Sequence, residues 1–172
     1  MASKIKVDTL ETANGSGTIA LSNQLSGMTS ASMPSGSVIQ IVHGESTTQV
    51  GSTSSTYADT GLTAAITPSS TSSKILVTVH QSGLGKDSNN TRIGIAVLRG
   101  STNIGLVSGQ AGFTGSTAIN FIATASGEFL DSPSSTSAVT YKTQINSYAN
   151  NANVWLNLGG TKSTITLTEI KG

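Results

Sequence analysis

The stretch Lys74-Ile75-Leu76-Val77-Thr78-Val79-His80 decides the fold. Read at a period of two, Ile75, Val77 and Val79 share one face, while Leu76, Thr78 and His80 share the other. Both faces are largely apolar, so the stretch reads as a strand in a central position of a packed sheet. Pro68-Ser69-Ser70-Thr71-Ser72-Ser73 before it reads as a tight polar connection, and Gly83 to Asn90 after it as a loop tip.

Outward from this strand the same pattern recurs. Ser37 to His43 is a strand, followed by a long polar loop from Gly44 to Ser55. Tyr57 to Thr60 and Leu62 to Thr67 are strand pieces ending at Pro68. Arg92 to Leu98 and Asn103 to Val107 form a hairpin around Arg99-Gly100-Ser101, and Gly109 to Gly115 is a Gly-rich loop. Thr117 to Thr124, Glu128 to Leu130, Ala138 to Asn146, Val154 to Leu158 and Thr164 to Ile170 complete the set. Roughly nine or ten short strands, with turn residues between them and no helical periodicity, predict an all-β antiparallel β-sandwich, with the jelly roll as first choice. No repeat of fixed period suggests a propeller or solenoid.

Residues 1–34 read as an extended N-terminal docking arm, and residues 35–172 as the jelly-roll domain. Lys4 to Leu10 alternates like a strand, but the segment lacks apolar residues for a core of its own. Its sizeable apolar groups include Ile5, Val7, Leu10, Ile19 and Leu21, which are the expected docking contacts with a partner. Strand addition to a partner's open sheet edge is the expected mode.

Composition narrows the function. Only 10% of residues are charged, and the net charge is +1. No basic stripe marks a nucleic-acid partner. Ser and Thr make up about a third of the chain, which suits strands with polar outer faces joined by many turns. There is no Cys, so disulfides and thiolate metal sites are excluded. No apolar run approaches the roughly 20 residues that cross a bilayer, so no membrane insertion is expected. Met1-Ala2-Ser3-Lys4-Ile5-Lys6 lacks the apolar region of a signal peptide, which places synthesis in a cytoplasm.

A search for chemistry leads to a non-enzymatic reading, with no catalytic residue, cofactor or metal assigned. His43 and His80 both fall at the ends of predicted strands, with no acidic stretch beside either. No Gly-x-Ser-x-Gly elbow is present, and the loop Gly109 to Gly115 lacks the Lys of a P-loop. Among the aromatics, Trp155 alternates with Val154 and Leu156 and reads as core or interface. Tyr148, with Asn150 and Asn151 beside it in a loop, is the candidate for surface recognition.

Several segments resemble a known group. Lys4-Ile5-Lys6-Val7-Asp8-Thr9-Leu10 with Gly15-Ser16-Gly17-Thr18-Ile19 resembles the N-terminal segment of tail-fibre and other virion proteins of marine, cyanophage-like bacteriophages. Ile66 to Val77, Phe129-Leu130-Asp131-Ser132-Pro133 with Val139-Thr140-Tyr141-Lys142, and Ser163 to Ile170 are similar to later hairpins and the closing strand of the same proteins. The resemblance implies a virion structural protein with a jelly-roll body like that of tumour necrosis factor-type trimers. A short fibre, a fibre tip or a capsid decoration protein would fit. The expected partners are two further copies of the chain in a homotrimer and another virion protein (capsid, portal or tail) bound through the arm. A host surface glycan is a candidate partner for the outer loops, and the expected location is the virion, assembled in the host cytoplasm. The alternative reading is a carbohydrate-binding, lectin-like module.

Overall fold

The computed structural model describes Thr29, residues 32–148 and residues 152–172. The chain divides into two units, Met1–Ser32 and Met33–Gly172. In the first, Thr29 and Ser32 close a turn, the Ser32 N–H donating to the Thr29 carbonyl at 2.9 Å. Ile5, Val7, Leu10, Ile19 and Leu21 lie outside the described residues, as do Asn150 and Asn151.

The second unit is built from strands β1 (Val38–Ser46), β2 (Val50–Ser52), β3 (Ala58–Ile66), β4 (Lys74–Lys86), β5 (Ile93–Arg99), β6 (Thr102–Ala111), β7 (Asn120–Asp131), β8 (Val139–Ser147), β9 (Val154–Leu156) and β10 (Ser163–Ile170). All pairings are antiparallel. The first sheet runs β1-β10-β4, with β7 on the far side of β4. Short β9 and β2 continue the β10 and β1 lanes, β9 pairing with the end of β4 and β2 with β9. The second sheet runs β3-β8-β5-β6. The two sheets pack face to face as a β-sandwich, and their strand orders are those of a jelly roll.

The deciding strand does lie inside its sheet, but only one of its faces is core. Ile75, Val77 and Val79 are fully buried, whereas Leu76 and Thr78 are half-buried and His80 is exposed. The strand also continues six residues past His80, into the first half of the expected loop tip, and ends at Lys86. The cause is Gly83, whose φ of +60° turns the strand over without ending it. Beyond it Leu84 points into the core, and Gly85 faces out. β7 turns over at the paired position, so Ile122 packs inward and Phe121 stands outside.

Other boundaries move for similar reasons. The polar loop from Gly44 carries three more residues of β1 and all of β2, because pairing there follows backbone hydrogen bonds and not apolar alternation. The two pieces around Gly127 are one strand, β7. The missing side chain at Gly127 makes room for the Phe129 ring, which an added Cβ would meet at 3.2 Å. The pieces on either side of Gly61 are likewise one strand, β3, with a bulge between Asp59 and Thr63.

The interior has two apolar clusters. One gathers Leu62, Ile66, Ile75, Val77, Val79, Val97, Tyr141, Ile165 and Leu167, and the other Leu84, Ile93, Ile95, Ile145, Val154 and Leu156. A buried polar seam also spans the sandwich. Thr60 and Thr143 share a hydroxyl contact at 2.5 Å, and the Thr143 hydroxyl donates to Gln81 Oε1 at 2.7 Å. Gln81 Nε2 donates to Ser163 Oγ at 2.9 Å, and Ser163 bonds Asn157 Oδ1. Asn157 Nδ2 then reaches the Thr48 carbonyl at 2.8 Å, bracing the break between β1 and β2. Each seam residue satisfies its neighbour, which is what makes a polar layer tolerable in a core.

Candidate association surface

Strand register sets out the outer face of the first sheet in rows. Ile41, Thr168, Leu76 and Leu130 stand side by side on β1, β10, β4 and β7. Ile41 is 64% exposed and Leu130 59%. The next rows along the strands are polar: His43, Thr166, Thr78 and Glu128, then Glu45, Thr164, His80 and Ser126. Past the face change at Gly83 the surface becomes apolar again. Gly51, Trp155, Gly85 and Phe121 form one row across β2, β9, β4 and β7.

The two glycines in that row shape it. An added Cβ on Gly51 would meet Trp155 Cδ1 at 2.9 Å, so the indole lies over Gly51. An added Cβ on Gly85 would meet Leu158 Cδ1 at 2.5 Å and Phe121 Cδ1 at 2.8 Å. Leu158 and Phe121 therefore cover β4 from outside, and Phe121 keeps 66% of its surface exposed. Gly83, Leu84, Phe121, Ile122 and Leu158 line an open apolar groove of about 500 Å³ here. The outer face of the second sheet differs. There Asp59 accepts from Lys142 Nζ at 2.8 Å and from Gln144 Nε2 at 2.7 Å, so that carboxylate is paired within the sheet.

The predicted histidines lie within strands and not at their ends. Both are exposed on the first sheet's outer face, and His43 Nδ1 sits 3.0 Å from the Thr166 hydroxyl. Among the described residues no group of three or more His, Asp or Glu is placed to hold a metal ion. Tyr148 is 56% exposed, and the Arg92 guanidinium stacks on its ring, 3.0 Å from the centroid. Trp155 is half-buried on the outer face, while its neighbours Val154 and Leu156 enter the core. Sequence reasoning gave no role to Arg92, Phe121 or Gly85. The alternation of Gly85 with bulky strand neighbours was the one available sign of a covered surface.

Glu169 shows how the quoted segments meet. It is fully buried at the end of β10 and accepts from the Ser69 N–H at 2.7 Å, the Ser69 hydroxyl at 2.6 Å and Gln40 Nε2 at 2.6 Å. Burial pushes its carboxyl up, and these donors outweigh that, holding it below the ordinary 4.5. The Pro-Ser-Ser-Thr-Ser-Ser connection is thus organised by the closing strand. No protein-family model matches the chain, and no curated protein matches it.

Proposed function

We propose that this chain is a non-enzymatic structural protein of a bacteriophage particle, assembling as a homotrimer through its sandwich and docking on another virion protein through residues 1–34. The observation that carries the reading is the pair of unlike apolar surfaces on one sheet face, Ile41-Leu76-Leu130 at one end and Trp155-Phe121-Leu158 at the other. A closed ring of identical chains needs two different surfaces on every protomer, because each contact is heterologous. Scattered exposed apolar residues are ordinary on any protein, whereas rows aligned by strand register are not scattered. The resemblance of Ile66 to Val77 and of Ser163 to Ile170 to phage virion proteins supports the particle assignment. These two segments are joined here by Glu169 and Ser69.

Light scattering on the purified full chain at micromolar concentration tests the assembly. The expected mass is three chains, and Leu130→Glu or Phe121→Glu should shift it to one chain without lowering the melting temperature. A stable monomer in the unsubstituted protein would remove the trimer. Cross-linking of labelled chain in assembled particles tests the location.

A further inference from the structure

The second sheet carries an open pocket on its outer face, and β5 supplies the floor. Ile93, Ile95 and Val97 point into the core, so Ala96 and Leu98 face outward between β8 and β6. Register sets Gln144 beside Ala96 and Lys142 beside Leu98. At the β5–β6 turn Gly100 has a φ of +58°, and an added Cβ there would meet nothing within 4 Å. Leu98, Gly100, Ser101, Thr140, Lys142 and Gln144 line the resulting pocket of about 560 Å³. That volume falls within the roughly 300–1,000 Å³ of small-molecule sites.

The polar groups here can be reached from solvent. The Lys142 side chain is 28% exposed, and that of Asp59, which pairs with Gln144 on the far side of β8, is 55% exposed. Thr140 and Ser101 are exposed, and Gln144 is half-buried. The two charges already cancel, since Lys142 Nζ donates to Asp59 Oδ2 and Gln144 Nε2 to Asp59 Oδ1. An entering anion must compete with Asp59 for Lys142, and a cation must compete with Lys142 for Asp59. Neither partner is saturated, because an ammonium carries three hydrogens and a carboxylate about four acceptor positions. Gln144 Oε1 and the Thr140 and Ser101 hydroxyls make no hydrogen bond to another described residue. The wall therefore offers donors and acceptors together with no net charge.

This combination selects among guests. Vicinal hydroxyls, each both donor and acceptor, satisfy such a wall without separating the ion pair. β5 and β8 both lie inside their sheet, so an extended peptide finds no open ladder to join. No aromatic side chain lines the pocket, so a nucleobase finds no stacking partner. The aliphatic floor of Leu98 and Gly100 suits the C–H face of a sugar ring. We propose that this pocket binds a neutral hexose oligosaccharide, with Lys142, Gln144, Thr140 and Ser101 bonding its hydroxyls and Leu98 beneath its ring. Every group comes from one chain, and the pocket lies on the sheet opposite the apolar rows assigned to the trimer. The proposal therefore stands whether or not the chain is trimeric.

The test is titration of the full chain with cellotriose, mannotriose and galactotriose at millimolar concentration, followed by amide NMR shifts. Trigalacturonate and chitosan trimer serve as anionic and cationic controls. At least one neutral trisaccharide should bind saturably, about tenfold tighter than either control, with shifts centred on residues 98–101 and 140–144. Lys142→Met keeps the stem and removes the ammonium, and should weaken binding about tenfold, as for one hydrogen bond to a charged group. Thr140→Trp fills the pocket from an exposed position and should abolish binding with an unchanged melting temperature. Absence of shifts with all three neutral sugars overturns the site. Equal or tighter binding of a charged control overturns the neutral-sugar assignment. Shifts confined to other residues, or binding unchanged in both folded variants, place any observed binding elsewhere and overturn the proposal.

Discussion

The Tyr141 hydroxyl donates to Asp131 Oδ2 at 2.7 Å, tying β8 of one sheet to the end of β7 in the other. Arg99 completes the latch, its Nη1 donating to both Asp131 oxygens at 2.9 and 2.7 Å. Tyr141 is fully buried. Burial, and then the hydrogen bond and charge of Asp131, push its phenol far above the ordinary 10. A phenol raised in the folded state stabilises the fold fully below pH 10, and that contribution disappears as pH rises through the folded value. Tyr141→Phe should cost about 1.5–3 kcal/mol in urea unfolding at neutral pH, the usual range for a hydrogen bond to a charged group. In an alkaline spectrophotometric titration, one of the three tyrosines should ionise only as the protein unfolds. Complete ionisation of all three in folded protein would show the latch is open.

Glu169 predicts the acid behaviour. Its carboxyl is held below 4.5, so its contribution is present above pH 4.5 and is lost as pH falls through the lower folded value. Glu169→Gln keeps the shape but replaces one acceptor by a donor facing Ser69 or Gln40. It should destabilise the fold by about 1–3 kcal/mol at pH 7. The gap to the unsubstituted protein should narrow as pH is lowered below 4, followed by urea midpoints. A gap independent of pH would mean that Glu169 is neutral in the fold.

The sandwich was legible because period-two alternation in β4, β8 and β10 reports a half-buried sheet directly. In β10 the alternating Ile165 and Leu167 are fully buried. The length of β4 was not legible, since Gly83 in the left-handed region reverses the faces and breaks the alternation that defines a strand in sequence. The surface around Tyr148 was less visible still. Tyr148 could be named from its loop position, but its partner Arg92 lies 56 residues earlier and meets it only through the β5–β8 register. The polar seam was hidden in another way: alternation puts Gln81, Thr143 and Ser163 on the same faces as Val79, Ile145 and Ile165, but their mutual hydrogen bonds arise only when the sheets are stacked.

Gln81 is the centre of that seam, with Thr143 donating to its oxygen and its nitrogen donating to Ser163. Gln81→Ala removes both partners at once and leaves a cavity. The expected loss is about 1–3 kcal/mol for the unsatisfied groups, with a further cavity cost. Thr143→Val breaks only the Thr60 and Gln81 bonds and should cost less. A double-mutant cycle between positions 81 and 143 should return a coupling of at least about 0.5 kcal/mol, as for contacting residues in one network. Strict additivity would mean that the seam does not act as a unit.

Lys86 is a buried cation whose described partners are all neutral oxygens. Its ammonium donates to the Ser88 carbonyl at 2.7 Å, the Thr114 hydroxyl at 2.6 Å and the Thr117 carbonyl at 3.1 Å. It thereby pins the connection between β6 and β7 to the end of β4, close to Phe121. Burial lowers its pKa, so the protonated form is penalised in the fold, and the oxygens offset that penalty. Lys86→Met fills the same stem volume but strands the carbonyls, and the expected cost is about 1–3 kcal/mol. The loss should be local as well as global. Limited proteolysis at 25 °C should cut Lys86→Met within residues 112–119 well before the unsubstituted chain, while β8 and β10 amides keep their exchange protection. Uniform loss of protection across all strands would show that Lys86 supports the whole sandwich and not this one connection.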